Sequence, residues 1–264
     1  KASIKPNKSK KWFLDRNIEA IETDIYKKDQ LIKSLKGCKG LININSIGFG
    51  AAPIIIKSCL EVNLRRVIFI SSTSIFTSLN SKSKSIRLKA EQSILQSNLD
   101  WTILRPTMIY GSKNDRNMIK LIKYIDRFLF IPIIGNGRSL QQPVFVGDLA
   151  WAIVEAFHSP KTIHKKINIS GGDKKSFNEI IDIISKRSGK KIIKVYFPKS
   201  PIILLMKILE NFFNFRLPIK AEQIERLNED KNFSHSFAKK LFNYSPLNFE
   251  EGIGIEIFNY KKAK

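Results

Sequence analysis

The sequence predicts an α/β protein, a doubly wound parallel sheet followed by a small, mainly helical C-terminal lobe. Three observations carry that prediction. Short apolar runs alternate with segments of helical period from Ile18 to Phe197. Two of the runs, Val67-Ile-Phe-Ile-Ser-Ser-Thr73 and Trp101-Thr-Ile-Leu-Arg-Pro-Thr-Met-Ile-Tyr-Gly111, stop abruptly in small, polar or ring-constrained residues. Buried parallel strands look like this where their carboxyl ends open into a site, and in such sheets ligands bind at those ends. Beyond Pro198 the pattern turns helical and less regular.

The elements follow in order. Ile18–Glu22 alternates like a strand, and Lys28–Leu35 reads as a helix stopped by Gly37. Leu41–Asn45 is a strand, and Pro53–Val62 a helix with proline in its first turn. Val67–Ile70 and Trp101–Leu104 are strands separated by a helix over Ile86–Gln96. Helices over Asn117–Leu129 and Leu149–Phe157 come next, the second N-capped by Asp148. Ile167–Ser170, Phe177–Ile184 and Ile192–Phe197 continue strand, helix, strand. Repeated βα units of this length require a parallel sheet with crossover helices. The layout is a sheet domain over 1–170 and a C-terminal substrate or lid lobe over 171–264.

At 264 residues and 43% hydrophobic content, the chain can bury a full core. Cys38 and Cys59 occupy ordinary apolar positions, which argues for a reducing, cytoplasmic compartment and against a disulfide framework. With His158, His164 and His235 scattered, no metal site is expected. The net charge of +23 comes from lysines spread along the whole chain, so a nucleic-acid surface is disfavoured. Weak attraction to phosphates or to an anionic membrane surface is expected at low salt. The longest apolar stretch, Pro201 to Phe215, is interrupted by Lys207 and Glu210. It reads as an amphipathic helix on a core, with interfacial membrane contact as the sharper alternative.

Several pieces in the right order resemble the short-chain dehydrogenase/reductase superfamily, in its extended or atypical branch of NAD-dependent epimerase/dehydratase-like proteins. Glu22-Thr-Asp24-Ile25 resembles the segment that places an acidic side chain by the cofactor adenine. Val67-Ile-Phe-Ile-Ser-Ser72 resembles the strand that delivers the active-site serine. Ala90-Glu91 and Leu99-Asp-Trp-Thr-Ile-Leu-Arg-Pro106 resemble the following helix and strand, whose Arg-Pro turn lies by the nicotinamide. Gln142-Pro-Val-Phe-Val-Gly-Asp148, Leu227-Asn-Glu-Asp230 and Phe249-Glu-Glu-Gly252 resemble the entry to, and tail of, the substrate lobe of sugar-nucleotide-modifying members. The resemblance implies a Rossmann-like fold, NAD or NADP as cofactor, and hydride transfer on a nucleotide-sugar or similar polar substrate. It also implies a homodimer through the helix 86–96 face.

Two departures stand out. Nothing like the usual first strand and Gly-rich turn precedes Ile18, so the first βα unit is read as missing from this sequence. Gly48-Phe-Gly50 has glycines near a helix start, but the third glycine position is Pro53, and it reads as a tight turn flanking the cleft. The superfamily's tyrosine, four residues before a lysine, is also missing. Aligning on Glu91 puts Ser83 and Arg87 at those positions, while a shift of two puts Ser85 and Lys89 there. A serine hydroxyl is too weak an acid to replace a phenol in proton exchange.

The resemblance assigns candidate roles. Ser72, with Arg87 or Lys89, falls at catalytic positions. Asp24, Ile25, Asn45, Ser46, Ser71, Arg105 and Pro106 fall at cofactor positions, and Thr73, Thr107, Asn114 and Asn117 at substrate positions. Each has a structural alternative. Ser71 to Thr73 can cap the strand end, Arg105 can pair with Asp100 or Asp148, and Asn114-Asp-Arg-Asn117 can cap a helix. Tyr110 reads as a packing residue. A second functional class stays open: a binding, sensor or accessory protein on the same fold that does not turn over substrate.

Overall fold

The computed structural model describes residues 1–6, 8–112, 114–115, 117–213 and 221–264. Lys113, Arg116, and Asn214 and Phe215 at the end of the expected helix lie outside the described residues. In chain order the elements begin with β1 (Ala2–Ile4), α1 (Lys11–Leu14), β2 (Ala20–Glu22), α2 (Lys28–Leu35), β3 (Gly40–Asn43) and α3 (Ala52–Glu61). They continue with β4 (Arg66–Ile70), α4 (Lys82–Leu95), β5 (Asp100–Pro106), β6 (Ile109–Tyr110), α5 (Met118–Arg127) and β7 (Phe130–Ile134). Next come β8 (Leu140–Gln141), β9 (Val144–Phe145), α6 (Val146–His158), β10 (Lys165–Ile169), β11 (Lys175–Ser176) and α7 (Phe177–Ser188). The last are β12 (Ile193–Phe197), α8 (Lys199–Phe213), α9 (Ala221–Leu227), α10 (Ser236–Phe242) and α11 (Phe249–Lys262).

The chain forms two compact units that interleave along the sequence. Unit 1 comprises 1–75, 81–105 and 153–167, and unit 2 comprises 76–80, 106–152 and 168–264. The mixed α/β architecture and parallel sheet agree with the sequence reading.

The main sheet has the order β10-β5-β4-β3, and β1 pairs in parallel with β2 as a separate ladder. Within the main sheet β4 is parallel to β3 and to β5, with Val67 between Leu41 and Trp101. Strand β4 is buried over Val67–Ile70, as a central parallel strand must be. Strand β3 is an edge, and Ile42 and Ile44 beside it are 37% and 72% exposed. The unit 1 core gathers Val67, Phe69, Trp101 and Ile103 with Ile55, Cys59, Leu31 and Ile94 from the flanking helices. Arg66 locks the amino ends of these strands. Its guanidinium donates to the Asp100 and Phe157 carbonyls at 2.9 and 3.1 Å, to Thr102 and Thr162 Oγ1, and to the Ala156 carbonyl.

In unit 2, Tyr110, Ile122, Ile133, Ile181, Phe249 and Ile253 build a second core. The Tyr110 hydroxyl reaches so close to Gly252 that a Cβ there would lie 2.1 Å away, so helix α11 needs glycine at that turn.

Several boundaries differ from the sequence reading for physical reasons. Helix α4 starts earlier than Ile86, because Ser81 Oγ accepts the Lys84 N–H and nucleates a polar first turn. Helix α6 starts at Val146, so Asp148 lies inside its first turn and does not cap it. Its carboxylate instead accepts the Leu247 N–H at 2.9 Å. The short β1 and the proline-bearing β7 are additions to the sequence reading. The first lacks apolar alternation, and the second carries a proline, which disfavours a strand interior. Pro132 sits in a two-stranded ladder opposite Val195.

Candidate functional site

The strand exits of unit 1 carry small polar side chains. At the β2 exit Asp24 is half-buried, and its Oδ1 accepts the Tyr26 N–H at 3.0 Å. The Tyr26 hydroxyl then donates to the Phe49 carbonyl at 3.0 Å, tying this exit to the turn after β3. Ile25 packs on the core. At the β3 exit, Asn43 donates to the Asn45 carbonyl, and Ser46 Oγ accepts the Gly48 N–H at 3.2 Å. The Phe49 and Gly50 N–H groups go to the Ser46 and Ile47 carbonyls. The N–H groups of the Gly48–Gly50 turn are therefore spent internally and do not form a phosphate nest.

At the β4 exit Ser71 is buried and its hydroxyl donates to Glu91 Oε1 at 2.7 Å. Ser72 is half-buried, and its Oγ accepts the Ser74 N–H at 3.1 Å. Thr73 is buried at the start of a short 3-10 turn. At the β5 exit Arg105 donates Nε to Glu91 Oε1 at 3.0 Å and a terminal nitrogen to Oε2. Its carboxylate partner is thus Glu91, where the sequence reading offered Asp100 or Asp148. Asp100 gives a carbonyl to Arg66, and Asp148 serves the Leu247 N–H. Pro106 ends β5 and is buried.

The two alignments of the missing pair fall on different faces of helix α4. Arg87 is half-buried, donates to the Ser83 carbonyl at 3.1 Å, and its guanidinium would lie 3.1 Å from a Cβ at Gly48. Glu91, one turn on, is 4% exposed. Ser85 and Lys89 lie on the solvent side of the same helix. Periodicity fixes this, because positions four apart share a helix face and positions two apart do not.

In unit 2, Thr107 is buried and donates its hydroxyl to the Gln142 carbonyl at 2.5 Å. Asn114 and Asn117 are exposed. The residue that caps α5 is Asp115, whose Oδ2 accepts the Ile119 N–H at 2.9 Å, and Asn117 makes no side-chain cap. The structure therefore brings Ser71, Arg105 and Glu91 together in unit 1, and separately Arg87, Ser83 and Gly48.

Three carboxylates without an assigned role in the sequence reading prove central. Glu91 enters that reading only as an alignment mark. Glu229 of the Leu227-Asn-Glu-Asp230 motif accepts the Thr77 hydroxyl at 2.5 Å and the Ser78 N–H and hydroxyl at 2.9 and 2.6 Å. Burial pushes its pKa up, but the Ser78 and Thr77 hydrogen bonds outweigh that and hold it low. Glu256 of α11 is 2% exposed, with Oε2 accepting the Gly111 N–H at 3.1 Å. Burial first, and then the charge of Asp115, push its pKa up to about 8. Glu91 and Glu229 lie in pieces that carry the family resemblance, Ala90-Glu91 and Leu227-Asn-Glu-Asp230, and Glu256 has no signal in the sequence.

The unit 1 exits thus present hydroxyls, amides and the Asp24 carboxylate, with the Glu91 carboxylate held by Ser71 and Arg105. Residues 4–128 match the family described as NAD(P)H-binding. The chain is 28% identical over 181 residues to a mitochondrial NADH dehydrogenase [ubiquinone] 1 alpha subcomplex subunit 9 of Arabidopsis thaliana, covering 65% of this chain and 45% of that one. It is 23% identical over 251 residues to short-chain dehydrogenase/reductase family 42E member 1 of Mus musculus, covering 78% and 63%. The chain spans about half the length of the subunit 9 relatives it matches. Its fold is similar to that of a UDP-glucuronic acid 4-epimerase from Bacillus cereus solved with UDP-glucuronic acid and NAD, with a TM-score of 0.74 at 20% identity over 97% and 85% of the two chains. With a match to the NAD(P)H-binding family over residues 4–128 and a fold similar to that of a UDP-glucuronic acid 4-epimerase, the chain is similar to members of the short-chain dehydrogenase/reductase superfamily.

Proposed function

We propose that this protein holds NAD(P) at the strand exits of unit 1 in a supporting role, as an accessory component of a larger redox assembly. The observation that carries this reading is the register of α4. On the alignment through Glu91, Ser83 and Arg87 stand at the superfamily's tyrosine and lysine positions, with Arg87 turned against the Gly48 backbone. A serine hydroxyl cannot exchange a proton with a substrate as a phenol does, and an always-charged guanidinium lacks the lysine's tunable acidity. The relatives named as subunits of NADH dehydrogenase support the same reading.

In this role Asp24 accepts from an adenosine ribose hydroxyl. Asn45, Ser46, Ser71 and Ser72 line the path from ribose to nicotinamide, and Arg87 contributes positive charge beside Gly48. Arg105 acts through Glu91, keeping Ser71 in place. When bound, the cofactor supplies hydride chemistry, and this chain's residues bind and orient it.

A second reading is hydride transfer on a nucleotide-linked sugar, with Ser72 steadying the reacting oxygen. It is favoured by the similarity to epimerase structures along almost the whole chain. Titration of NADH and NADPH into the purified chain, followed by nicotinamide fluorescence and thermal stabilisation, separates the cases. Saturable binding, weakened about tenfold by Arg87→Ala, with no conversion of UDP-glucose or UDP-glucuronic acid, is the expected result. Conversion that Ser72→Ala abolishes would establish the second reading, and failure to bind either nucleotide would overturn both.

A further inference from the structure

Unit 2 carries an apolar face that is covered at one end, at Ile134, and exposed over Phe130, Ile193 and Phe197. Strands β7 and β12 pair in parallel, with Phe130 opposite Ile193, Pro132 opposite Val195 and Ile134 opposite Phe197. Alternation puts these six side chains on one face of the ladder, and all six are apolar. Phe130, Ile193 and Phe197 are 52%, 68% and 43% exposed. The intervening Ile131 and Ile133 point the other way into the unit 2 core. Parallel strands are ordinarily covered on both sides, and here one side is open over Phe130, Ile193 and Phe197.

Helix α8 repeats the pattern. Ile202, Ile203 and Met206 pack with Ile134 and with Ile224 of α9. Leu204, Leu205 and Ile208 share another face and are 61%, 54% and 43% exposed. A helix apolar on two sides belongs between two apolar media. The chain from Lys186 to Lys207, which builds β12 and the first half of α8, contains Lys186, Arg187, Lys190, Lys191, Lys194, Lys199 and Lys207, and no Asp or Glu. Several of these reach acids elsewhere in unit 2, as Arg187 does Glu250 and Lys194 does Asp182. Lys186, Lys191 and Lys199 lie exposed.

We infer that unit 2 docks through the outer β7–β12 face and α8 onto an anionic lipid membrane. The combination selects this occupant. Exposed aliphatic and aromatic side chains enter the acyl boundary, while lysines, with long stems and charged tips, stay at the level of the phosphates. The acid-free basic run complements a negatively charged surface, and the net charge of +23 draws the whole chain toward it. Among the described residues no helix is long and apolar enough to cross a membrane, so the contact made by this face is interfacial.

The test is co-sedimentation of the whole chain with vesicles of phosphatidylcholine alone and of phosphatidylcholine mixed with phosphatidylglycerol. We expect binding to the mixed vesicles about tenfold tighter than to the neutral ones, and weakened by salt. The variant Leu204→Ser/Leu205→Ser/Ile208→Ser should lose about tenfold on mixed vesicles while keeping its melting temperature, since all three side chains are exposed. Ile193→Ser/Phe197→Ser tests the strand face independently. Binding that neither apolar variant weakens would mean charge attraction alone and overturn the proposal. So would a chain that ignores both vesicles, or one that forms a dimer dissolved by the same variants.

Discussion

Arg105 holds Glu91 in a two-pronged ion pair inside unit 1, with the two side chains only 12% and 6% exposed and Ser71 sharing one carboxylate oxygen. Removing one member of such a pair strands the other charge in a medium that solvates it poorly. Glu91→Ala should therefore destabilise the fold by about 3 kcal/mol, and Arg105→Met by a similar amount. The double variant Glu91→Leu/Arg105→Met should recover most of the loss. Urea unfolding of the three proteins reads this out, and an additive double variant would refute it.

Arg66 serves five acceptors on β4's neighbours and on the segment 156–162. Lysine keeps the charge but has only three donors on one nitrogen, so it leaves several buried oxygens unmet. Burial already presses the guanidinium toward losing its proton, though the Asp100 charge opposes this. Arg66→Lys should cost roughly 2 kcal/mol in chemical unfolding, despite conserving charge. A cost indistinguishable from zero would show that water replaces the lost donors.

Glu256 gives the protein a pH dependence of definite sign. Its pKa is about 8 in the fold against an ordinary 4.5, so between these values the folded chain keeps a proton that the unfolded chain has released. Stability contributed by this site is intact below about pH 4.5 and falls as pH rises through about 8. Glu256→Gln keeps the shape and removes the titration. The variant should match the parent near pH 5 and exceed it by roughly 2–4 kcal/mol above pH 8, read from melting temperatures across that range. Parallel pH profiles for the two proteins would exclude this carboxyl as the cause.

Glu229 anchors the short segment at Thr77 and Ser78 through three hydrogen bonds. Glu229→Ala should release that segment without unfolding the unit. Amide exchange at Ser78 should quicken by about tenfold or more, with exchange in the α7 core unchanged. Its depressed pKa means the anchor weakens on acidification below the usual glutamate range. Unchanged exchange at Ser78 would show that neighbouring packing holds the segment.

Much of the frame is legible in residue type and spacing. Helix α2 has the bounds that its period and Gly37 indicate, and β4 and β5 lie where apolar runs meet small polar residues. The misreadings cluster where local chemistry misleads. The polar first turn of α4 hides its start, and Pro132 hides β7 although it lies in a two-stranded ladder. Within the Asn114-Asp-Arg-Asn117 cluster, read as a cap, it is Asp115 whose carboxylate reaches both the Asn117 and Ile119 N–H groups.

The sequence by itself determined the alternation of strands and helices, the polar strand exits and the loss of the tyrosine at α4, since these depend on residue type and local period. Which carboxylate Arg105 would take, whether Arg87 or Lys89 faces inward, that Glu256 would be buried and that Glu229 would anchor Thr77 and Ser78 were decided by tertiary structure. Partners such as Gly111 and Glu256 or Thr77 and Glu229 are far apart along the chain, and the energy of a buried charge depends on what packs around it. No local pattern encodes that neighbourhood.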